Sequence, residues 1–205
     1  MKKRNFIEHT SGASAAEFAL VLPVLILLIF GVIDGGRWLW TYNRIEKATQ
    51  MGARFAAVSD YTSSSVATSY VNTTCGGSTL QQGDLIPASC FTNVSCIKPA
   101  TTVTCSSGTA DATAFDKIVA RMQLFAQEIT PASVKVEYLQ SGLGFAGTPN
   151  APDVSPVVRI SVDDPTTSVL TFHPISFLTF KQTGISMPKI SASLTAEDLK
   201  GSQSN

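Results

Sequence analysis

The sequence has few of the residues from which enzymes build active sites. It contains two histidines, His9 and His173, and its charged residues make up 15% of the chain. The 15 basic and 15 acidic residues cancel, so no excess of positive charge favours a nucleic-acid partner. Serine and threonine are too numerous for one of them to stand out as a nucleophile. We therefore predict that the chain is not an enzyme and has no catalytic residues and no cofactor.

Cysteine is also scarce, and its spacing argues against a metal site. The four cysteines, Cys75, Cys90, Cys96 and Cys105, lack the Cys-x-x-Cys pairs that are typical of zinc sites. All lie in a Ser/Thr/Gly-rich region, residues 61–110, that has no strong periodicity. An even number of cysteines in an exported segment favours disulfides, so we expect two bridges and no bound metal. Four cysteines allow three pairings, which the sequence leaves open.

The remaining candidates for chemistry are isolated. Asp163 and Asp164 are neighbours, and neighbouring strand residues point to opposite faces, so a shared carboxylate site is not expected. A solvated turn is the better interpretation of this pair. His173 lies between Phe172 and Pro174, where a structural or exposed histidine is the more common outcome. A membrane-anchored hydrolase would need a set of catalytic side chains that we cannot find in the sequence.

A long apolar segment stands out near the N-terminus. Residues 13–33 contain one charged residue, Glu17, and follow a basic leader, residues 1–12. At about 1.5 Å per residue, a helix of this length spans roughly 31 Å, the thickness of a bilayer core. Because residues 2–4 are basic, the positive-inside rule predicts a cytoplasmic N-terminus and an exterior C-terminal part.

A secretory signal peptide has the same basic start and apolar middle. Its apolar region usually runs about 7 to 15 residues and ends at a cleavage site of small residues. The segment here is longer, and the aromatic residues Trp38, Trp40 and Tyr42 follow it in the manner of an interfacial belt. An uncleaved signal anchor is also consistent with the hydropathy.

Local motifs separate these alternatives. Residues 11–18 read Ser-Gly-Ala-Ser-Ala-Ala-Glu-Phe, which resembles the prepilin-peptidase site of type IV pilin-like proteins. Residues 30–37 read Phe-Gly-Val-Ile-Asp-Gly-Gly-Arg, and residues 48–54 read Ala-Thr-Gln-Met-Gly-Ala-Arg. Together these runs resemble the TadE-like family over about residues 11–57. That family comprises minor pseudopilins of bacterial tight-adherence pili, which are Flp-type, type IVb pili.

The resemblance implies how the N-terminus works. A prepilin peptidase would cut after Gly12, making Ala13 the first mature residue and Glu17 the fifth. A carboxylate inside a membrane-length helix costs a few kcal/mol on insertion scales, so we expect Glu17 to have a cationic partner. The resemblance gives Glu17 and Phe18 a role in docking other pilins and pseudopilins.

Two functional hypotheses therefore lead. The first is a single-pass protein of the bacterial inner membrane that assembles with pilus subunits and has its C-terminal domain in the periplasm or outside the cell. The alternative is an uncleaved, membrane-anchored exterior binding module or adhesin. In both, the lipid bilayer is a partner, and nucleic acid is not.

The apolar segment continues as an amphipathic helix over residues 34–60. Its apolar and small residues recur at spacings of three or four, which is typical of one helix face. The residues of this stripe are Leu39, Tyr42, Ile45, Thr49, Gly52 and Phe55. We therefore predict one helix over about residues 13–57, a pilin-like stalk.

Residues 61–205 are long enough for one compact exterior domain. Helical spacing of apolar residues predicts a helix over residues 111–129. Alternation of apolar and polar residues predicts strands over 133–139, 157–162 and 189–194. An antiparallel sheet packed with this helix and with the outer half of the stalk gives an α+β fold.

Overall fold

The computed structural model describes residues 11–149, 152–163, 169–175 and 184–196. The basic residues at positions 2–4, His9 and Asp164 lie outside these ranges. In chain order the elements are α1 Ser11–Val58, β1 Thr74–Cys75, β2 Ser78–Thr79, β3 Val94–Ile97, β4 Thr104–Cys105, α2 Ala112–Gln123, β5 Val134–Leu139, β6 Val157–Val162, β7 Thr171–Phe172, β8 Ile185–Ser186 and β9 Ile190–Thr195. A long apolar helix followed by antiparallel sheet and a second helix confirms the predicted α+β class.

The described residues form two compact units. The first comprises residues 11–40, 172–175 and 184–185. The second comprises residues 41–149, 152–163, 169–171 and 186–196.

Helix α1 has 48 residues, and its bounds confirm the prediction of one helix over about residues 13–57. Pro23 lies inside it without ending it. Proline removes a single backbone donor, which a long helix tolerates as a local kink. The three helical glycines at positions 31, 35 and 36 would leave open space around an added Cβ, so no neighbouring atom requires glycine there.

In the second unit, α1 buries a face of small residues. Its buried residues are Ile45, Ala48, Thr49, Gly52, Ala53, Ala56 and Ala57. Ile45, Thr49 and Gly52 of the predicted stripe belong to this buried face, whereas Leu39 of the same stripe is 56% exposed. Leu39 lies in the first unit, whereas the buried face belongs to the second. Small residues on this face let a neighbouring element approach the helix backbone closely.

The main sheet is antiparallel and has the strand order β4-β3-β5-β6-β9. Along β5, Val134, Val136 and Tyr138 are fully buried, which confirms the predicted alternation on that face. Their cross-strand partners on β6 are Val162, Ile160 and Val158, which are also fully buried. β6 has the predicted bounds, and β9 begins and ends one residue later than predicted. One face of the two central strands therefore belongs to the core.

Helix α2 begins where the sequence predicts and ends earlier. The Asp111 side chain caps it by accepting the N–H of Ala114 at 3.0 Å. The predicted continuation to Ile129 is wrong, because the N–H groups of Phe125 and Ala126 both bond the carbonyl of Met122 and tighten the chain into turns. The apolar residues of this continuation remain in the core, since Ala126 and Ile129 are fully buried.

Two disulfides confirm the prediction of two bridges, and the structure selects one of the three pairings. Cys75 pairs with Cys90, with their Cα atoms 5.7 Å apart. Cys96 pairs with Cys105 across the β3–β4 ladder, where the two residues are direct partners. Each bridge closes a short loop, and a bridge of this kind is typically worth about 2 to 4 kcal/mol.

Thr62, four residues after the end of α1, joins several elements of the second unit. Its N–H donates to the hydroxyl of Tyr138 at 2.9 Å, and its carbonyl accepts the N–H of Asp111 at 2.9 Å. The Cys105 sulfur lies 3.4 Å from the same carbonyl. Thr62 and Tyr138 are both fully buried. The exit of α1 is thereby fixed to β5, to the cap of α2 and to the β3–β4 hairpin.

Replacing Tyr138 with Phe should destabilise the protein. The change leaves the buried N–H of Thr62 without its acceptor, which costs about 1 to 3 kcal/mol. We expect a lower free energy of unfolding in urea for the full chain in detergent with its disulfides intact. Tyr61→Phe is the matched control, because no described residue hydrogen-bonds the Tyr61 hydroxyl. Equal losses for the two variants would contradict this assignment.

Glu137 is a charged residue within the sheet, with its side chain 11% exposed. Its carboxylate contacts Arg159 Nε at 2.8 Å and Lys135 Nζ at 3.2 Å. Burial by itself raises the pKa of Glu137, but hydrogen bonds and positive charge from Arg159 and Lys135 outweigh it, so the pKa lies below its usual value. The ionised carboxylate therefore stabilises the folded sheet.

The lowered pKa of Glu137 predicts a loss of stability in acid. This contribution is fully present above the unfolded value of about 4.3 and disappears as the pH falls through the lower folded value. Urea midpoints measured from pH 7 to pH 3 should fall less steeply for Glu137→Gln than for the natural chain. Asp116→Asn, at an exposed ion pair with Lys98, is the control. If the urea midpoint of the natural chain falls with pH as steeply as that of Glu137→Gln, Glu137 does not contribute to the acid dependence of stability.

Candidate functional site

The first turns of α1 carry the residues that the sequence singles out for processing and docking. Gly12 and Ala13 lie in the first turn, and Glu17 follows Ala13 by four residues, about one helical turn. Glu17 and Phe18 are exposed, Phe18 by 64%. No described residue forms an ion pair or hydrogen bond with Glu17. A cation for this carboxylate would therefore come from outside the described part of the chain.

The helix surface that follows Glu17 is apolar and open. Leu20, Val24, Leu28 and Val32 recur every fourth residue and are 63 to 77% exposed. An 18-residue window of the helix reaches a mean hydropathy of 2.7, and none of that window is buried. By length and composition, the helix is able to cross a membrane. An apolar face of this size belongs in lipid or against another protein.

A buried acid marks the end of the apolar run. Asp34 is 8% exposed, and its Oδ1 accepts the N–H of Ile175 at 2.9 Å and contacts Arg37 Nη1 at 3.1 Å. The Arg37 guanidinium lies 5.3 Å from the centre of the Phe172 ring, within the range of a cation–π contact. These contacts fix residues 172–175 to α1 within the first unit.

An open groove of about 260 Å³ lies beside this cluster, and its lining is largely apolar. The lining residues are Asp34, Gly35, Trp38, Phe172, Pro174 and Ile185. From the sequence, Asp34 is only the first charge after the apolar run, and its contact with Ile175 is not apparent. The signal that marks it is an acid three residues before an arginine at the end of an apolar helix.

The Gly-Ala-Arg motif of residues 52–54 has a packing role in its first two positions. A Cβ added at Gly52 would lie 2.6 Å from Cγ of Met122, so glycine is what allows α1 and α2 to meet here. Ala53 is fully buried, and Arg54 is exposed. The glycine of the motif therefore serves helix contact, and the arginine is presented on the surface.

The other sequence candidates do not form a site. Asp163 was expected in a solvated turn, but it is 8% exposed. Its carboxylate accepts the N–H of Leu170 at 2.7 Å, and burial raises its pKa. That part of the prediction is wrong. His173 is exposed. Among the described residues, no group of three or more His, Cys, Asp or Glu side chains is placed to hold a metal ion.

The comparison with protein families bears on the part of α1 just described. Residues 12–54 match the family model for TadE-like protein. This match confirms the resemblance inferred from the motifs, and we call residues 12–54 the TadE-like segment. It begins at Gly12, contains Glu17 and Asp34, and ends at Arg54. No curated protein and no solved structure matches the chain.

The TadE-like segment and the exposed apolar surface lead to the same conclusion. A pilus-family match that begins at an apolar, membrane-length helix indicates a membrane-anchored protein. The match also links the chain to the assembly of tight-adherence pili. Most of the second unit lies beyond the matched residues.

Replacing Gly52 with Ala should destabilise the second unit although alanine favours helices. Met122 is fully buried and would have to move, and overpacking of this kind costs about 1 to 3 kcal/mol. We expect a lower urea midpoint for Gly52→Ala. Gly36→Ala is the matched control, since no atom lies within 4 Å of its added Cβ. A Gly52→Ala variant as stable as the natural chain would show that helix contact does not require glycine.

Proposed function

We propose that this chain is a minor pseudopilin-like membrane protein that assembles with the pilins and pseudopilins of tight-adherence pili. The observation that carries the proposal is a lone exposed carboxylate, Glu17, five positions after Gly12 at the start of a membrane-length helix. The family match over residues 12–54 supports it.

The proposed topology is a single pass through the bacterial inner membrane. The basic N-terminus stays in the cytoplasm, and the exterior α+β domain, residues 61–205, lies in the periplasm or outside the cell. A prepilin peptidase cuts after Gly12 on the cytoplasmic side and removes the leader. The product begins with the α-amino group of Ala13, a new positive charge at the start of the helix.

Cleavage supplies a cation for Glu17, which has no such partner among the described residues. Within one chain, the amine of Ala13 and the carboxylate of Glu17 are about one helical turn apart, so the two groups are neighbours along the helix. Between chains, the amine of one subunit meets Glu17 of the next. In a medium of low dielectric, one such pair fixes the axial register of two apolar helices that could otherwise slide past one another.

Phe18 adds an exposed aromatic surface next to the carboxylate, and the stripe from Leu20 to Val32 supplies apolar contact area. Helices without charged groups along their length associate in lipid by packing, with little to select one register. An ion pair at one end provides that selection. The uncleaved anchor differs at this point, because without the amine of Ala13 the carboxylate of Glu17 has no cation of this kind.

The mature N-terminus tests processing directly. When the chain is produced with an active prepilin peptidase, mass spectrometry of the membrane fraction should find Ala13 as the first residue. Gly12→Leu should block cleavage and leave the leader in place. A chain that begins at Met1 in the presence of an active peptidase would support the uncleaved anchor and refute processing after Gly12.

Glu17→Ala tests docking. The variant should insert and be cleaved, but its recovery with other pilus subunits should fall at least tenfold, because removing one partner of a buried pair costs about 3 to 5 kcal/mol. Glu46→Ala is the matched control, an acid on the same helix that bonds Gln50 outside the apolar run. Recovery of Glu17→Ala at the natural level would refute the docking role.

A further inference from the structure

The two edges of the main sheet differ. At one edge, β4 is two residues long, and the Cys96–Cys105 bridge holds it to β3. At the other, β9 is six residues long, and all six pair with β6. No described strand pairs with the outer side of β9. In an antiparallel strand, every second residue directs its N–H and C=O away from the paired neighbour, so these outward groups of β9 have no strand partner among the described residues.

β9 lacks the features that usually protect an edge. Its residues, Ile190 to Thr195, include no charged side chain and no proline. Its register with β6 runs without a bulge. Apart from Ile190 and Ala192, its residues are exposed. A long, uncharged, regular edge of this kind is a template for a further strand.

A groove of about 140 Å³ lies along this edge on the side of α1. Gln50, Ala53 and Arg54 line one wall, and residues 192–194 line the other. All of these residues belong to the second unit. The groove has room for a side chain, but it is too small for a helix, whose diameter is about 10 to 12 Å. Ala53 and Leu194 give the groove an apolar lining on both walls.

The charge at this groove is positive. Arg54 is exposed, and no described carboxylate lies within ion-pair distance of it. In contrast, Arg37, Arg44 and Arg159 each pair with an acid. The acid nearest along the same helix face is Glu46, two turns before Arg54, and Glu46 is hydrogen-bonded to Gln50. A carboxylate on a segment that lies along β9 would complement the charge of Arg54.

We propose that the outer edge of β9 and this groove bind an extended segment of a neighbouring pilus subunit, and that Arg54 pairs with a carboxylate in that segment. The segment adds as a sixth strand, its backbone bonds the outward groups of β9, and its acidic side chain reaches Arg54. The partner assignment rests on the proposed function, whereas the strand site rests on the geometry. The exposed arginine that ends the TadE-like segment thereby acquires a binding role.

Photo-crosslinking in cells that assemble the pilus tests the site. A photoreactive amino acid replaces Ser193 in the full-length chain, and cross-linked products are digested and mapped by mass spectrometry. Thr104, on the short β4 edge, is the matched control position. We expect position 193 to form an adduct with an acid-bearing segment of another pilus subunit. Position 104 should form none above background.

Arg54 variants then test the charge. Arg54→Glu should lower the yield of the adduct at least fivefold, since it replaces an attractive pair by a repulsive one. Arg54→Lys should retain most of it, and a lysine in place of the mapped carboxylate should restore binding to Arg54→Glu. The urea midpoint and both disulfides of each variant are measured to show that the fold is intact.

Several results would overturn the proposal. An adduct between two copies of β9 would show that a second copy of this chain binds the edge. A yield at position 193 no higher than at Thr104 would show that no segment binds there. If Arg54→Glu leaves the adduct yield unchanged, Arg54 does not pair with a carboxylate of the bound segment. The N-terminus of the same samples is determined in parallel, so a failure of processing is recognised separately from a failure of strand binding. An Arg54-dependent adduct with a protein outside the pilus would contradict the partner assignment alone.

Discussion

Helix α1 has to satisfy two different surroundings along one continuous backbone. Its first part exposes large apolar side chains at every fourth position, a surface that water does not solvate well. Its last part buries alanine, glycine and threonine within a protein core. Continuous helix satisfies the backbone in both environments, since each peptide group bonds within the segment. After the helix ends, backbone groups need other partners. Thr62 bonds Tyr138 of β5 and Asp111, the cap of α2, and so joins the chain to the sheet and to the second helix.

The two acids of the apolar half illustrate how a carboxylate is handled at such a boundary. Asp34 is buried and already has a backbone N–H and an arginine as partners. Glu17 is exposed on the apolar surface, and the described part of the chain provides no partner for it. A satisfied acid contributes to the fold of its own unit. An unsatisfied acid in an apolar setting costs free energy until a partner arrives, which is the property that suits it to assembly.

Local patterns were enough to predict α1, the buried alternation of β5 and the bounds of β6. Each of these depends on side-chain periodicity over a few consecutive residues. The early end of α2 was not predictable in this way, because apolar residues continue to Ile129 and remain buried after the helix stops. The Asp34–Ile175 bond and the role of Thr62 join residues far apart in the chain, and periodicity carries no information about such pairs. The disulfide pairing was left open for the same reason.

The two bridges close over short distances along the chain, with sequence separations of 15 and 9 residues. Both are complete before β5, β6 and β9 are reached in the N-to-C direction. Small loops close at low entropic cost, so oxidation does not have to wait for the long-range pairing of the sheet. The loops that these two bridges close can therefore be locked before the later strands pair. Once Cys75 and Cys90 are joined, Cys96 and Cys105 are the one pair that remains of the four cysteines.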